Sequence, residues 1–352
     1  YMNSKNYQAA YEALAEVKQP DEKMRETMQY LRYQMGIDAF LRGNMHESIK
    51  WMTQVIDNEK STSEYKTDAY FVRAESKYRQ SKYSECLEDL NIFNKQSNAN
   101  KSNNYVAALY LKGYAYFNQH ILKQAEHIFR QYIEKADTKQ TTYSDALNRL
   151  GDCQFNSRQF ADAIDTYDRV VQLSNYGVDY ALFQKGYALG LLHRYKEKIQ
   201  TLERLSTRYP RSDYADDALY ETARVHLQLD QNDEAISVYT RLIGQYPRSN
   251  KASKAALELG MTYRTLHQYD KAIAAFKSTI EKYAGSEDAY SALENLEQVY
   301  VETNKIKDYL AYTKTLNKIN MHTSTQEDSL VYVTAELQYI MGNYEQAVAG
   351  LS

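Results

Sequence analysis

The phrase Ala256-Leu257-Glu258-Leu259-Gly260-Met261-Thr262-Tyr263, followed by Tyr269-Asp270-Lys271-Ala272-Ile273-Ala274-Ala275-Phe276, returns in varied form about every 37 residues along this chain. A unit of that length cannot bury an apolar face alone, so the repeats must stack on one another instead of sharing one central core. The register follows small residues: Gly36, Ala74, Gly113, Gly151, Gly186, Ala223, Gly260 and Ala335, with Glu297 out of pattern. A second small position, 12 residues later, holds Ser48, Cys86, Ala125, Ala163, Ala235, Ala272 and Ala347, while Lys198 and Tyr309 depart from it. A bulky residue follows 4 positions on, as Met52, Leu90, Phe129, Tyr167, Leu202, Tyr239, Phe276 and Leu351, and Thr313 breaks that rule. Small residues let two helices approach, and the bulky one fills the space beside them.

Breakers are scarce, with 3 Pro and 12 Gly in 352 residues, so nearly all of the chain reads as helix and short turn. Pro210 and Pro247, both in Tyr-Pro-Arg-Ser, end second helices because proline removes a backbone donor and drives the preceding residue extended. This spacing of Leu-Gly, Tyr, Ala, aromatic and Pro resembles the tetratricopeptide repeat, in which each unit is a helix-turn-helix. The resemblance implies an all-α fold, a right-handed superhelical solenoid of antiparallel helix pairs. We expect one continuous array over 1–352, with full hairpins at 28–65, 66–104, 105–142, 143–177, 178–214, 215–251, 252–288 and 289–326, and partial repeats at 1–20 and 327–352. The units exceed the consensus length of about 34. Their extra residues fall in polar stretches such as Asn94–Asn104 and Asp137–Tyr143, where a loop lengthens at small entropic cost. Tyr1–Val17 and Asn343–Ser352 each read as a second helix, so the chain is expected to be a segment of a longer array.

Composition narrows the function. Lys+Arg at 43 against Asp+Glu at 46 leaves a net charge of -3, with no basic footprint for nucleic acid. Apolar runs are short, as in Tyr187–Tyr195, and no direct membrane insertion is expected. Cys86 fills a small-residue position and Cys153 lies two repeats on, too far for a disulfide, so both read as structural thiols. His46-Glu47 runs on into Ser48-Ile49-Lys50 and misses the zinc-protease spacing. No glycine-rich phosphate loop occurs, His120 and His127 straddle a turn, and Asp213, Asp216 and Asp217 open a helix whose positive end favours carboxylates. No catalytic residue, metal or cofactor is expected.

The repeat resemblance implies that first helices line a concave face, chiefly 3 residues before and 1 after the small residue. Those positions hold Tyr33 and Ile37, Phe71 and Glu75, Tyr110 and Tyr114, Asn148 and Asp152, Phe183 and Tyr187, Tyr220 and Arg224, then Leu257 and Met261, with Tyr30 and Arg264 a turn further out. Two readings stay open. Tyrosine supplies 35 residues, so the rings can be packing between first helices; or they form a groove for a peptide, with Asn148 gripping main-chain amides and Arg224 or Arg264 meeting a carboxylate. The candidate groove is Tyr110, Tyr114, Asn148, Asp152, Phe183, Tyr187, Tyr220 and Arg224. It lacks the successive basic residues of the clamp by which some tetratricopeptide domains hold a peptide C-terminus.

Tyr209-Pro210-Arg211-Ser212-Asp213-Tyr214-Ala215-Asp216-Asp217-Ala218-Leu219-Tyr220, echoed at Tyr246-Pro247-Arg248-Ser249-Asn250 and Tyr283-Ala284-Gly285-Ser286, makes residues 179–290 similar to bacterial periplasmic members of the outer-membrane assembly and Tol-associated type. The expectation is a non-catalytic scaffold or adaptor for a protein or peptide partner, periplasmic or outer-membrane associated. The alternatives are a recruitment segment of a larger cytoplasmic signalling protein or enzyme, and a glycan or small-ligand binder. Glu297, Tyr309 and Thr313 predict an irregular hairpin over Ala289–Lys318.

Overall fold

The structure, a computed structural model, describes residues 6–57, 63–316, 324–340 and 342–351. Tyr1, Lys318 and the side chain of Leu351 lie outside the described residues. Among those residues the secondary structure is helical, and the chain folds as two compact units, Tyr1–Leu192 and His193–Ser352.

The first unit runs α1 (Tyr7–Ala15), α2 (Glu22–Leu41), α3 (Met45–Asp57), α4 (Ser63–Arg79), α5 (Tyr83–Lys95), α6 (Tyr105–Asn118), α7 (Leu122–Lys135), α8 (Thr141–Asn156), α9 (Phe160–Leu173) and α10 (Val178–Leu191). A one-turn 3-10 helix, Ala99–Lys101, takes up the long connection after α5. The second unit runs α11 (Tyr195–Arg208), α12 (Ala215–Gln228), α13 (Asn232–Gln245), α14 (Asn250–Thr265), α15 (Tyr269–Lys282), α16 (Glu287–Glu302), α17 (Ile306–Thr315), α18 (Ser324–Ile340) and α19 (Tyr344–Leu351). Within each unit every helix packs on the next, and a first helix also touches the first helix of the following repeat, as α2 does α4 and α12 does α14.

The small-and-large register is the packing rule of both units. A Cβ built on Gly113 would stand 2.7 Å from Phe129 Cε1, one on Gly151 2.5 Å from Tyr167 Cε1, and one on Gly260 2.5 Å from Phe276 Cε1. Each ring is fully buried and lies against the glycine of its partner helix. Filling those contacts with fully buried aromatic and aliphatic side chains removes apolar area from water and so helps hold each hairpin closed.

The turn inside each hairpin is equally regular. Seven residues after the small position the backbone turns left-handed, at Gly43, Ser81, His120, Arg158, His193, Asp230, His267, Asn304 and Gly342, with φ between 55° and 80°. That residue ends one helix and aims the chain into the next. Three of the seven histidines serve this purpose, and two of them, His193 and His267, bring Nδ1 to 2.7 Å and 2.9 Å from the hydroxyls of Tyr195 and Tyr269.

Between repeats of the second unit the Tyr-Pro-Arg-Ser segment closes one helix and opens the next. α11 stops at Arg208 and α13 at Gln245, ahead of the prolines. Ser212 and Ser249 then accept backbone amides of Tyr214 and Lys251 at 3.2 Å and 2.9 Å, and the Tyr246 hydroxyl donates to the Pro210 carbonyl at 2.8 Å. Asp216 and Asp217 sit in the first turn of α12, where Ser249 Oγ donates to Asp216 and Lys251 pairs with Asp217 at 2.7 Å. Their helix-opening role therefore accounts for Asp216 and Asp217, while Asp213 lies just ahead of the helix.

The irregular hairpin is a swap of sizes. Tyr309, at a small-residue position, is fully buried and hydrogen-bonds to Glu297, which stands where its partner helix would carry Gly or Ala. Thr313 is the small residue in return, and α17 is cut to 10 residues. Lys198, the other departure, stretches from its buried position to Glu221 at 2.7 Å.

Candidate functional site

Of the eight candidate groove residues, Tyr110, Tyr114, Asn148, Asp152, Phe183 and Tyr187 belong to the first unit, and Tyr220 and Arg224 to the second. In the first unit the aromatic positions of α4 and α6 frame an open cleft of 360 Å³ walled by Phe71, Tyr78, Tyr110, Leu111 and Tyr114, with Glu75 and Arg79 at its rim. Phe71 and Leu111 are core residues showing one edge, while Tyr78, Tyr110 and Tyr114 are half-buried. The size is at the small end for a ligand pocket and suits one or two side chains rather than a whole metabolite.

Tyr110 and Tyr114 pack edge to face with centroids 5.0 Å apart, and both hydroxyls donate to Asp145 Oδ2 of α8, that of Tyr110 at 2.7 Å. Burial raises the pKa of both phenols, and the Asp145 carboxylate raises it further, so they stay protonated donors. Arg149, one turn along α8, lies between Phe117 and Tyr180, 5.6 Å and 4.9 Å from the ring centres, and pairs with Asp152 at 2.6 Å. Asp152 Oδ1 accepts from Tyr167 at 2.7 Å and Tyr180 at 2.9 Å. Burial pushes the Asp152 carboxyl above the usual carboxylate range, against the pull of Arg149 and the two tyrosine donors. Asp145, Arg149 and Asp152 thus form a polar column on one face of α8, tying α6 to α10.

Asn148, expected to face a peptide, is instead 2% exposed, and its amide donates to the Gly177 carbonyl at 3.2 Å. A Cβ on Gly177 would meet that amide at 2.6 Å, so glycine is needed there for fit as well as for its φ of 65°. Asp152 likewise belongs to the packing between helices, at 6% exposed. Asp145 and Arg149 are the residues that sequence reasoning missed; they sit 6 and 2 residues before Gly151, off the positions used to read the face. Phe183 and Tyr187 are half-buried and stack edge to face at 4.9 Å.

In the second unit Tyr220 is half-buried, 6.1 Å from the Tyr239 ring, with Arg224 and Lys251 lying 5.9 Å and 5.8 Å from its centre. Arg224 keeps 57% of its side chain exposed and touches Glu221 at 3.2 Å. Arg264, offered as a carboxylate reader, is already committed to α16, where it donates to Asn295, Gln298 and Glu302. Burial raises Cys86 and Cys153 to about 12, which keeps both as inert thiols. Among the described residues no cluster of three or more His, Cys, Asp or Glu is placed to hold a metal, and no helix is long and apolar enough to cross a membrane.

No curated protein matches this sequence. Models of the tetratricopeptide repeat match residues 110–178 and, separately, 180–212, 217–249 and 254–286. The structure is similar to the C-terminal part of a TPR repeat-containing protein from Cytophaga hutchinsonii, at 17% identity and a TM-score of 0.60 over 74% of this chain and 99% of that one. It is also similar to the apo form of RapI, at 9% identity and a TM-score of 0.57 over 98% of this chain and 90% of that one. Both likenesses bear on the fold. With the repeat models lying on helix pairs built by the same small-and-large rule, the chain belongs to the tetratricopeptide repeat superfamily.

Proposed function

We propose that this protein is a non-catalytic scaffold that holds a peptide or protein segment along the first-helix face of its repeats. The observation that carries the reading is the cleft between α4 and α6, where Phe71, Tyr78, Tyr110 and Tyr114 leave ring surface open to solvent on the face that repeat stacking does not cover. Aromatic rings with fixed hydroxyls give large contact area at low conformational cost, which favours a binding wall over a loose surface. Phe183, Tyr187, Tyr220 and Arg224 extend the same register positions to later repeats.

The test is capture of the partner from the native cell by the whole chain, then its affinity for Ala107→Trp. Ala107 lines the cleft and is exposed, so the indole fills the space without touching the core. Loss of the partner with an unchanged helical spectrum is expected. Normal binding by Ala107→Trp, with loss on changing the Asn94–Asn104 connection, would move the partner to the edge of the repeats. The Tyr-Pro-Arg-Ser segments support extending the proposal to the bacterial cell envelope, and recovery of the native protein in the cytosolic fraction would defeat that part.

A further inference from the structure

The first unit already seats its own cations on aromatic faces, and at one step it does not. The aromatic residue 4 positions after the small one is Phe40 on α2, Tyr78 on α4 and Phe117 on α6. Arg79 covers Phe40 at 4.2 Å, and Arg149 covers Phe117 at 5.6 Å. At the middle step the register equivalent of Arg79 is Asn118, a shorter and neutral side chain whose amide donates to the Tyr78 hydroxyl at 2.9 Å, and the equivalent of Arg149, which sits 2 residues before its small residue and not 5 after it, is Leu111. The cleft opens at that step. Arg79 itself reaches away to Phe40 and pairs with Glu75 at 2.8 Å, and Arg149 pairs with Asp152. Among the described residues, the carboxylate left without an ion-pair partner at this wall is Asp145, beneath Tyr110 and Tyr114. A phenol donating to a carboxylate gains electron density in its ring, which strengthens the attraction of that face for a cation.

Resting on the peptide-binding reading above, we propose that the α4–α6 cleft is a subsite for a lysine or arginine side chain of an extended peptide. The incoming cation lies over Tyr78 and against Tyr110 and Tyr114, as Arg79 and Arg149 lie over rings at the flanking steps, with Asp145 supplying the complementary charge. The selectivity is opposite in sign to a clamp for a peptide carboxylate.

The probe is a set of acetylated, amidated nonapeptides with a single central lysine, arginine, norleucine or glutamate in a glycine-serine background, titrated into the isotopically labelled full chain and followed by backbone amide shifts. Lysine and arginine peptides should move amides of α4 and α6 around the cleft and bind about fivefold or more tighter than norleucine, in line with a cation–π contact of ordinary strength. Asn118→Arg should fill the cleft from within and abolish those shifts, and Asp145→Asn should erase the preference for lysine over norleucine. Norleucine binding as well as lysine would overturn the charge assignment while leaving peptide binding in place. Undiminished binding by Asn118→Arg, or no response at the cleft to any of the four peptides, would overturn the subsite; partner capture tests the broader reading by itself.

Discussion

Gly36→Ala and Gly151→Ala are the same substitution at the same register position, and the packing gives them opposite signs. A Cβ on Gly151 would lie 2.5 Å, 2.8 Å and 2.9 Å from Cε1, Cζ and Cδ1 of Tyr167. That ring is fully buried and its hydroxyl donates to Asp152 at 2.7 Å, so it cannot slide away without stretching a bond inside the polar column. Overpacking of this kind costs about 1–3 kcal/mol, and the better helix propensity of alanine returns about 1 kcal/mol. Gly151→Ala should therefore lose up to about 2 kcal/mol. At Gly36 the nearest atom is Met52 Cε at 2.6 Å, the free end of a flexible thioether that can swing aside. The propensity gain then stands nearly alone, and Gly36→Ala should be neutral or up to about 1 kcal/mol more stable. Because a stack of repeats need not unfold in one step, the assay is native-state hydrogen exchange, comparing opening free energies in α8 and α9 with those in α2 and α3. Equal shifts of one sign at both sites would refute the distinction between a pinned ring and a movable chain end.

Three further expectations follow from the same packing. Gly43→Ala should cost about 1 kcal/mol although its Cβ would meet nothing within 4 Å, because φ is 79°, and Gly43→Asn should cost less; equal losses in thermal unfolding would show that backbone strain is not the cause. Tyr309→Ala restores the usual small residue yet should lose about 3–5 kcal/mol by leaving a cavity, while adding Glu297→Ala and Thr313→Phe should recover at least half; a triple variant no better than the single one would reject the size swap. Burial raises Asp152 in the folded state above its unfolded value, so in that interval the native chain binds more protons and this group's contribution to stability falls as pH rises. The penalty of Asp152→Asn should thus shrink between about pH 4 and pH 7, and a penalty that grows in urea unfolding would contradict the assignment.

How much was legible depended on whether a residue's partner was fixed by the repeat. Gly113, Gly151 and Gly260 face a ring 16 residues on, and that pairing can be read directly because both members recur with the period. The aromatic face was half legible. Register places Tyr110 and Tyr114 on one face, where both line the α4–α6 cleft, but Asn148 and Asp152 share the register and turn into packing, since Gly177 and the hydroxyls of Tyr167 and Tyr180 claim them. Gly177 and Tyr180 carry no periodic mark, and although the Tyr167 ring recurs with the period, its hydroxyl is missing from Phe129 and Phe276, so nothing periodic pairs these groups with Asn148 and Asp152. Asp145 and Arg149 were passed over for the same reason. Glu297 and Tyr309 each looked like a defect alone, and their compensation appears only when the two are seen to bond. The left-handed turn position carried a readable signal in Gly43, Asp230, Asn304 and Gly342, all tolerant of positive φ, but His120, Arg158 and His267 at the same place disguised it.

That turn has a consequence for how such a chain can be lengthened. The interval from the first register position through the left-handed residue to the second register position is constant at 12, even where Lys198 or Tyr309 replaces the small residue, whereas the step from repeat to repeat varies between 35 and 39. One residue added inside the turn would rotate the following helix by about 100° and swing its alanine and its ring off the partner glycine together. The same residue added between repeats only lets out slack. Each hairpin is thus a sealed cassette, and length variation, grafted loops and affinity tags are admissible along one seam of the stack, the seam that Asn94–Asn104 and Asp137–Tyr143 already occupy.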